Sequence, residues 1–168
     1  LNDPAKTAEA FDDEGFYCLG DALRPVDMND LTKGFLFDGR IAENFKLSTG
    51  TWVAVGALRA AMVDHFDGLI RDAVIVGENR DELGAMVFPA DPDADPDLAA
   101  YQTALDAFNA KATGSSNRVR RLVILSEIPS LDKGEATDKG SINQRAVIRH
   151  RPEAVEILFD GERGVKTY

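Results

Sequence analysis

Asp38-Gly39-Arg40-Ile41-Ala42-Glu43-Asn44-Phe45-Lys46-Leu47, followed by Ser48-Thr49-Gly50-Thr51-Trp52-Val53, is the stretch on which the fold of this chain turns. Just before it, Phe35-Leu36-Phe37 reads as a strand. From Arg40 to Phe45 the strand-like pattern is interrupted, so a linker is expected near Ile41 and Ala42. After the break, Phe45 to Val55 reads as two strands around Ser48-Thr49-Gly50, a tight connection with glycine where the backbone must turn. The chain therefore divides at this point.

Upstream, Asp3 to Phe11 reads as a short helix entered through Asp3-Pro4, ended by the acidic turn Asp12-Asp13-Glu14-Gly15. Phe16 to Leu23 and Gly34 to Phe37 then form a hairpin with a long connection containing Pro25. Cys18, inside the first of these apolar runs, is expected to be a small buried hydrophobe. Downstream, Leu58, Met62 and Phe66 recur at helical spacing, and Ala73 to Val76 pairs with Ala85 to Phe88 across a charged turn. Leu98, Tyr101, Leu105 and Phe108 mark a second helix, and Leu122 to Ile128 is a buried strand. Ser130 to Lys139 is a polar loop, and Ser141 to Arg149 and Pro152 to Phe159 are closing helices whose Ile142, Val147, Val155 and Leu158 face inward. The expected class is α+β: a β-hairpin module, then a small three-stranded antiparallel sheet packed by helices.

A chain of 168 residues with 44% hydrophobic residues can bury one core. The formal charge of −10 argues against a nucleic-acid partner, since phosphate backbones are gripped by clustered Lys and Arg. Here the 19 basic residues are dispersed apart from Arg118, Arg120 and Arg121. The single Cys18 forms no internal disulfide, and no secretory or membrane-spanning segment is visible, so a reducing cytoplasm and no membrane partner are expected. The chain opens at Leu1 rather than Met and is read as a piece of something longer. His65 and His150 are read as structural and are too few for a metal site.

Two segments place glycines and charges where a plain core would not need them. In Gly20-Asp21 and Phe35-Leu36-Phe37-Asp38-Gly39-Arg40, a carboxylate and a guanidinium end adjacent strands. Such a pair can grip a sugar diol and a neighbouring phosphate, or be a solvated turn acid and a surface Arg. In Thr137-Asp138-Lys139-Gly140-Ser141-Ile142-Asn143-Gln144-Arg145, a lysine precedes a helix. Its ammonium can stabilise charge developing as a carboxylate attacks phosphorus, or be a surface lysine ahead of a Ser141 N-cap.

Taken in this order, these segments resemble the adenylate-forming superfamily of acyl-CoA synthetases, luciferases and adenylation domains. The wording from Asp38 to Leu47, Gly50 to Val53 and Asp138 to Arg145 is most similar to the feruloyl-CoA synthase branch. The resemblance implies residues 1–40 as the terminal hairpin segment of a large adenylate-binding domain and residues 41–168 as its C-terminal lid. It implies an acid–CoA ligase using ATP, Mg²⁺ and coenzyme A, which forms an acyl-adenylate and then a thioester. The acid would be a hydroxycinnamate, and the lid's partner would be the large N-terminal domain of the same enzyme. Asp21 would hold the ribose hydroxyls, Arg40 the ribose and phosphate, and Lys139 would be catalytic, with Lys133 as its substitute. Ala42 would be the hinge, although the family usually has Asp or Lys there. Lys46, Gly50 and Trp52 would line the CoA channel, with Trp52 equally readable as core. This chain alone would be inactive, lacking the phosphate loop. Two other readings remain: a non-catalytic free-standing binding module with the lid fold, and an adenylating enzyme that loads a carrier protein.

Overall fold

The computed structural model describes residues 3–168. It divides into two compact units, one ending at Ala42 and one running Glu43–Tyr168. In the first, α1 (Pro4–Glu9) starts where Asp3 accepts the Lys6 N–H, with Pro occupying a position that needs no donor. The Asp12 carboxylate accepts the Glu14 and Phe16 N–H groups and closes the following turn. Strands β1 (Asp21–Pro25) and β2 (Phe35–Arg40) form the expected antiparallel hairpin, in register Asp21 to Arg40 and Leu23 to Phe37.

Two details depart from expectation. The first strand begins at Asp21 rather than Phe16, and Cys18 is exposed, not buried. Phe16, Tyr17 and Leu19 are exposed with it, so the apolar run around Cys18 has no second layer of its own to lie under.

The second unit opens with the small antiparallel pair β3 (Phe45–Lys46) and β4 (Trp52–Val53), followed by α2 (Val55–His65). Then come β5 (Ile70–Val76), β6 (Leu83–Pro89), α3 (Leu98–Ala110), β7 (Val119–Ile124), α4 (Gln144–His150), α5 (Pro152–Phe159) and β8 (Gly164–Thr167). The architecture is α+β, as expected, but the main sheet has four strands in the order β5-β6-β7-β8, not three. Only β5 and β6 pair antiparallel; β6 with β7 and β7 with β8 run parallel. Helix α3 carries the chain back across one sheet face before β7, and such a crossover returns a strand parallel to its predecessor.

The sheet is covered on both sides, which explains its unbroken apolar runs. Ala73, Ile75, Leu83, Ala85, Val87, Leu122 and Ile124 point into a core shared with α2 and α3. The alternate residues Val74, Val76, Met86, Phe88, Val123 and Leu125 point into a second core with Ile142, Val147, Ala154 and Leu158 of the closing segment. Helix α5 lies so close to β6 that a Cβ on Gly84 would stand 2.7 Å from Leu158 Cδ2. At the end of the sheet, Glu82 accepts from Arg121 Nε (2.6 Å) and Arg163 Nε (2.8 Å), tying β7 and the approach to β8 to the start of β6. Two of the arginines clustered in sequence, Arg120 and Arg121, therefore face this carboxylate. Among the described residues no helix is long and apolar enough to cross a membrane.

Candidate functional site

In the first unit, β1 and β2 bring Asp21 and Arg40 directly opposite each other, both exposed. The positive φ of Gly20 (74°) and Gly39 (96°) is backbone that a side chain would resist, so glycine precedes each of the two charged residues for a steric reason. The Ile41 N–H donates to Gly20 O at 2.9 Å and closes the mouth of the hairpin. Ala42 follows in a short 3-10 turn, Ile41–Glu43, with its side chain exposed. A carboxylate and a guanidinium on adjacent strand ends can together address a diol and an anionic oxygen.

In the second unit, Lys46 and Trp52 are cross-strand partners, and the ammonium stands 5.7 Å from the indole centroid. Gly50 makes the turn between them at φ 80°. Trp52 is 52% exposed, so it is not core; it stands at the edge of a cleft of about 520 Å³ shared with Ala57, Ala61, His65 and Phe108. The cleft is largely apolar, with Asp64, His65 and Lys111 at its margin and Lys111 Nζ 3.4 Å from His65 Nδ1. The other side of the hairpin is fixed by Ser48, whose hydroxyl donates to Asp81 at 2.5 Å.

Lys139 occupies the tip of a second, smaller hairpin. Ala136 bridges Ile142 antiparallel, the Thr137 N–H donates to Ser141 O (2.9 Å), and the Gly140 N–H donates to Thr137 O (2.8 Å). Gly140, at φ 79°, allows the turn directly after the lysine. Lys139 is exposed and makes no hydrogen bond or ion pair among the described residues. Ser141 is not the cap of the next helix: Asn143 accepts the Ala146 N–H, and α4 begins at Gln144. Lys133 also lies exposed in the loop, near enough to Glu135 to help hold that carboxyl down.

Sequence reasoning missed the residues beneath this hairpin. Glu135 is fully buried and accepts from Arg151 Nε (3.1 Å), Arg151 Nη2 (2.8 Å) and the Ser130 N–H (2.9 Å). Burial pushes its carboxyl up, but the Arg151 guanidinium, the Ser130 N–H and the Lys133 charge outweigh that and hold it below the usual carboxylate range. Nothing in Gly134-Glu135-Ala136 distinguishes this glutamate from a solvated one. Gln144, also buried, accepts the Ile75 N–H at 2.8 Å and caps the open edge of β5. His150 stands 4.0 Å from Glu135, and His65 packs on the Phe108 ring.

The chain belongs to the AMP-binding enzyme C-terminal domain family, whose model matches residues 43–163. It is 28% identical over 164 residues to a carboxylic acid reductase from Segniliparus rugosus, covering 93% of this chain. The chain spans 13% of that reductase's length. The structure of the A-PCP didomain of the S. rugosus reductase in complex with AMP superimposes with a TM-score of 0.73 at 26% identity, over 94% of this chain and 22% of that one. An anthranilate CoA ligase in complex with anthranoyl-AMP shares the fold at a TM-score of 0.67 and 19% identity, over 94% of this chain and 28% of the ligase.

Proposed function

We propose that this chain is the lid of an enzyme that activates a carboxylic acid with ATP and then passes the acyl group to a thiol. In the first step a carboxylate oxygen attacks the α-phosphorus and pyrophosphate leaves; in the second a thiol attacks the acyl carbon, loses its proton and displaces AMP. The observation that carries the reading is Lys139, an exposed ammonium free of ion pairs among the described residues, at the tip of a fixed hairpin in a domain of this family. Its charge would stabilise the anion developing between carboxylate and phosphate. Asp21 and Arg40 would hold the ribose and phosphate of the adenylate, and a change of backbone angles around Ala42 would re-aim the lid between steps. Lys46, Gly50 and Trp52 would then serve the thiol. Mg²⁺ would enter as the companion of ATP.

Two thiols fit. The resemblance of Asp38 to Leu47 and Asp138 to Arg145 to the feruloyl-CoA synthase branch would favour coenzyme A and a hydroxycinnamate acid, whereas the likeness to the A-PCP didomain of a reductase would favour a carrier-borne thiol. The test uses the intact parent enzyme. Lys139→Ala is expected to lower ATP–pyrophosphate exchange about 100-fold, equivalent to about 3 kcal/mol, while thioester formation from supplied adenylate survives. Running the second half-reaction with coenzyme A and with holo carrier protein separates the two acceptors. Equal loss in both halves would remove Lys139 from the chemistry, and no exchange by the wild-type parent would leave a non-catalytic module.

A further inference from the structure

We propose that the buried Glu135–Arg151 ion pair is a positioning device for Lys139, holding the lysine hairpin in one orientation against the sheet. The inference rests on the role given to Lys139 above, but the observations behind it are independent of that role. A hairpin of so few rungs is marginal in water without further support. Its C-terminal leg has that support, since Ile142 is buried in the core and the Asn143 N–H donates to Glu135 O at 2.8 Å. The N-terminal leg lacks it: Ile128 and Leu131 are 58% and 59% exposed, so apolar burial does not hold residues 126–135 down.

Arg151 does. Its Nη1 donates to Glu127 O (3.1 Å), its Nη2 to Ile128 O (3.0 Å), and its Nε and Nη2 grip the Glu135 carboxylate. The guanidinium is itself anchored, lying 5.4 Å from the Phe88 ring centroid of β6 and at the joint between α4 and α5. A line of contacts thus runs from the sheet through Phe88, Arg151 and Glu135 to a lysine four positions further along the chain. Buried ion pairs are poor sources of net stability, since apolar replacements of similar volume are often as stable. What such a pair supplies is one defined geometry, because displacing either partner leaves a charge uncompensated. That requirement fits a loop whose ammonium must meet a reacting phosphate within a fraction of an ångström.

Glu135→Gln keeps the shape of the side chain and removes its charge; Arg151→Lys keeps the charge and removes the planar fork. Amide hydrogen exchange on this chain should quicken about tenfold or more at Thr137, Gly140 and Ser141 in both variants, with the amides of β5, β6 and β7 unchanged. In the intact parent the same variants should slow adenylate formation about tenfold or more through kcat, with thioester formation from supplied adenylate untouched. Unchanged exchange in the hairpin would overturn the inference. So would loss of protection throughout β5–β7 in both variants, because the pair would then hold the whole domain and not the loop. If Lys139→Ala stops adenylation while the two clamp variants do not, the proposed function stands and the positioning role falls. If adenylation continues unchanged in Lys139→Ala as well as in the two clamp variants, both fall together.

Discussion

Leu23, Phe35 and Phe37 on the first hairpin are each more than half exposed, whereas Leu83, Leu122 and Leu158 in the second unit are fully buried. Both sets lie in apolar runs of similar composition. The difference lies in what stands above them. In the second unit a sheet receives two helices on each face, so every strand residue has a partner layer. In the first unit Gly39 is the one buried residue among those whose burial is described, and its strands carry large apolar side chains without a layer from the unit itself. Strand-like apolarity therefore marks a surface meant for covering, and says nothing of whether the same unit supplies the cover. This fits the proposal that the first unit is the terminal segment of a larger domain.

The contrast can be broken by mutation. Leu158→Ala removes a fully buried side chain packed over Gly84 and should cost about 2–5 kcal/mol in chemical denaturation. Leu23→Ala should cost less than about 0.5 kcal/mol in the same assay, and equal costs would show that these apolar side chains of the two units are embedded alike.

Acid sharpens it next. Glu135 and Glu82 are both held below their ordinary value of 4.5, in each case because arginine hydrogen bonds overcome an upward push from burial. Their folded forms thus release protons more readily than their unfolded forms. The stability they contribute is complete above about pH 4.5 and drains away as pH falls through their lowered folded values. Melting temperature followed downward from pH 6 should drop below about pH 4.5, and Glu82→Gln should flatten that limb. An unaltered limb would mean the carboxylate is not charged in the fold.

The smallest effect concerns helix starts. Asp97 accepts the Ala99 and Ala100 N–H groups at the head of α3, so Asp97→Ala should cost about 1 kcal/mol. Asp3→Ala, at the head of the exposed α1, should leave the main thermal transition where it is.

Much of this was legible because local chemistry and final environment agree. The helices starting after Asp97 and at Pro152, and the β5–β6 hairpin, follow directly from capping residues, proline and paired apolar runs. Strand β8 was not legible, since Gly164-Val165-Lys166-Thr167 offers one purely apolar side chain and owes its pairing to β7. The parallel direction of β7 and β8 was equally hidden, because the alternation of side chains is the same whichever way a neighbour runs. Among the site residues, Lys139 was placed in a loop by the glycine after it, and the loop is where it lies. Its foundation could not be read, because Glu135 and Arg151 are polar residues whose burial depends on contacts sixteen positions apart.

The ion pair beneath the lysine also limits how this lid can be recombined with those of other enzymes. A chimeric join placed anywhere between residues 136 and 150 would take Glu135 from one parent and Arg151 from the other. Unless the donor carried a matching fork, the product would enclose a lone charge beneath the lysine loop, a defect that no repacking of the apolar faces relieves. Joins ahead of Ser130 or beyond Arg151 keep the two together, so the seams that nature or an engineer can use are set by electrostatics as much as by where one element ends and the next begins.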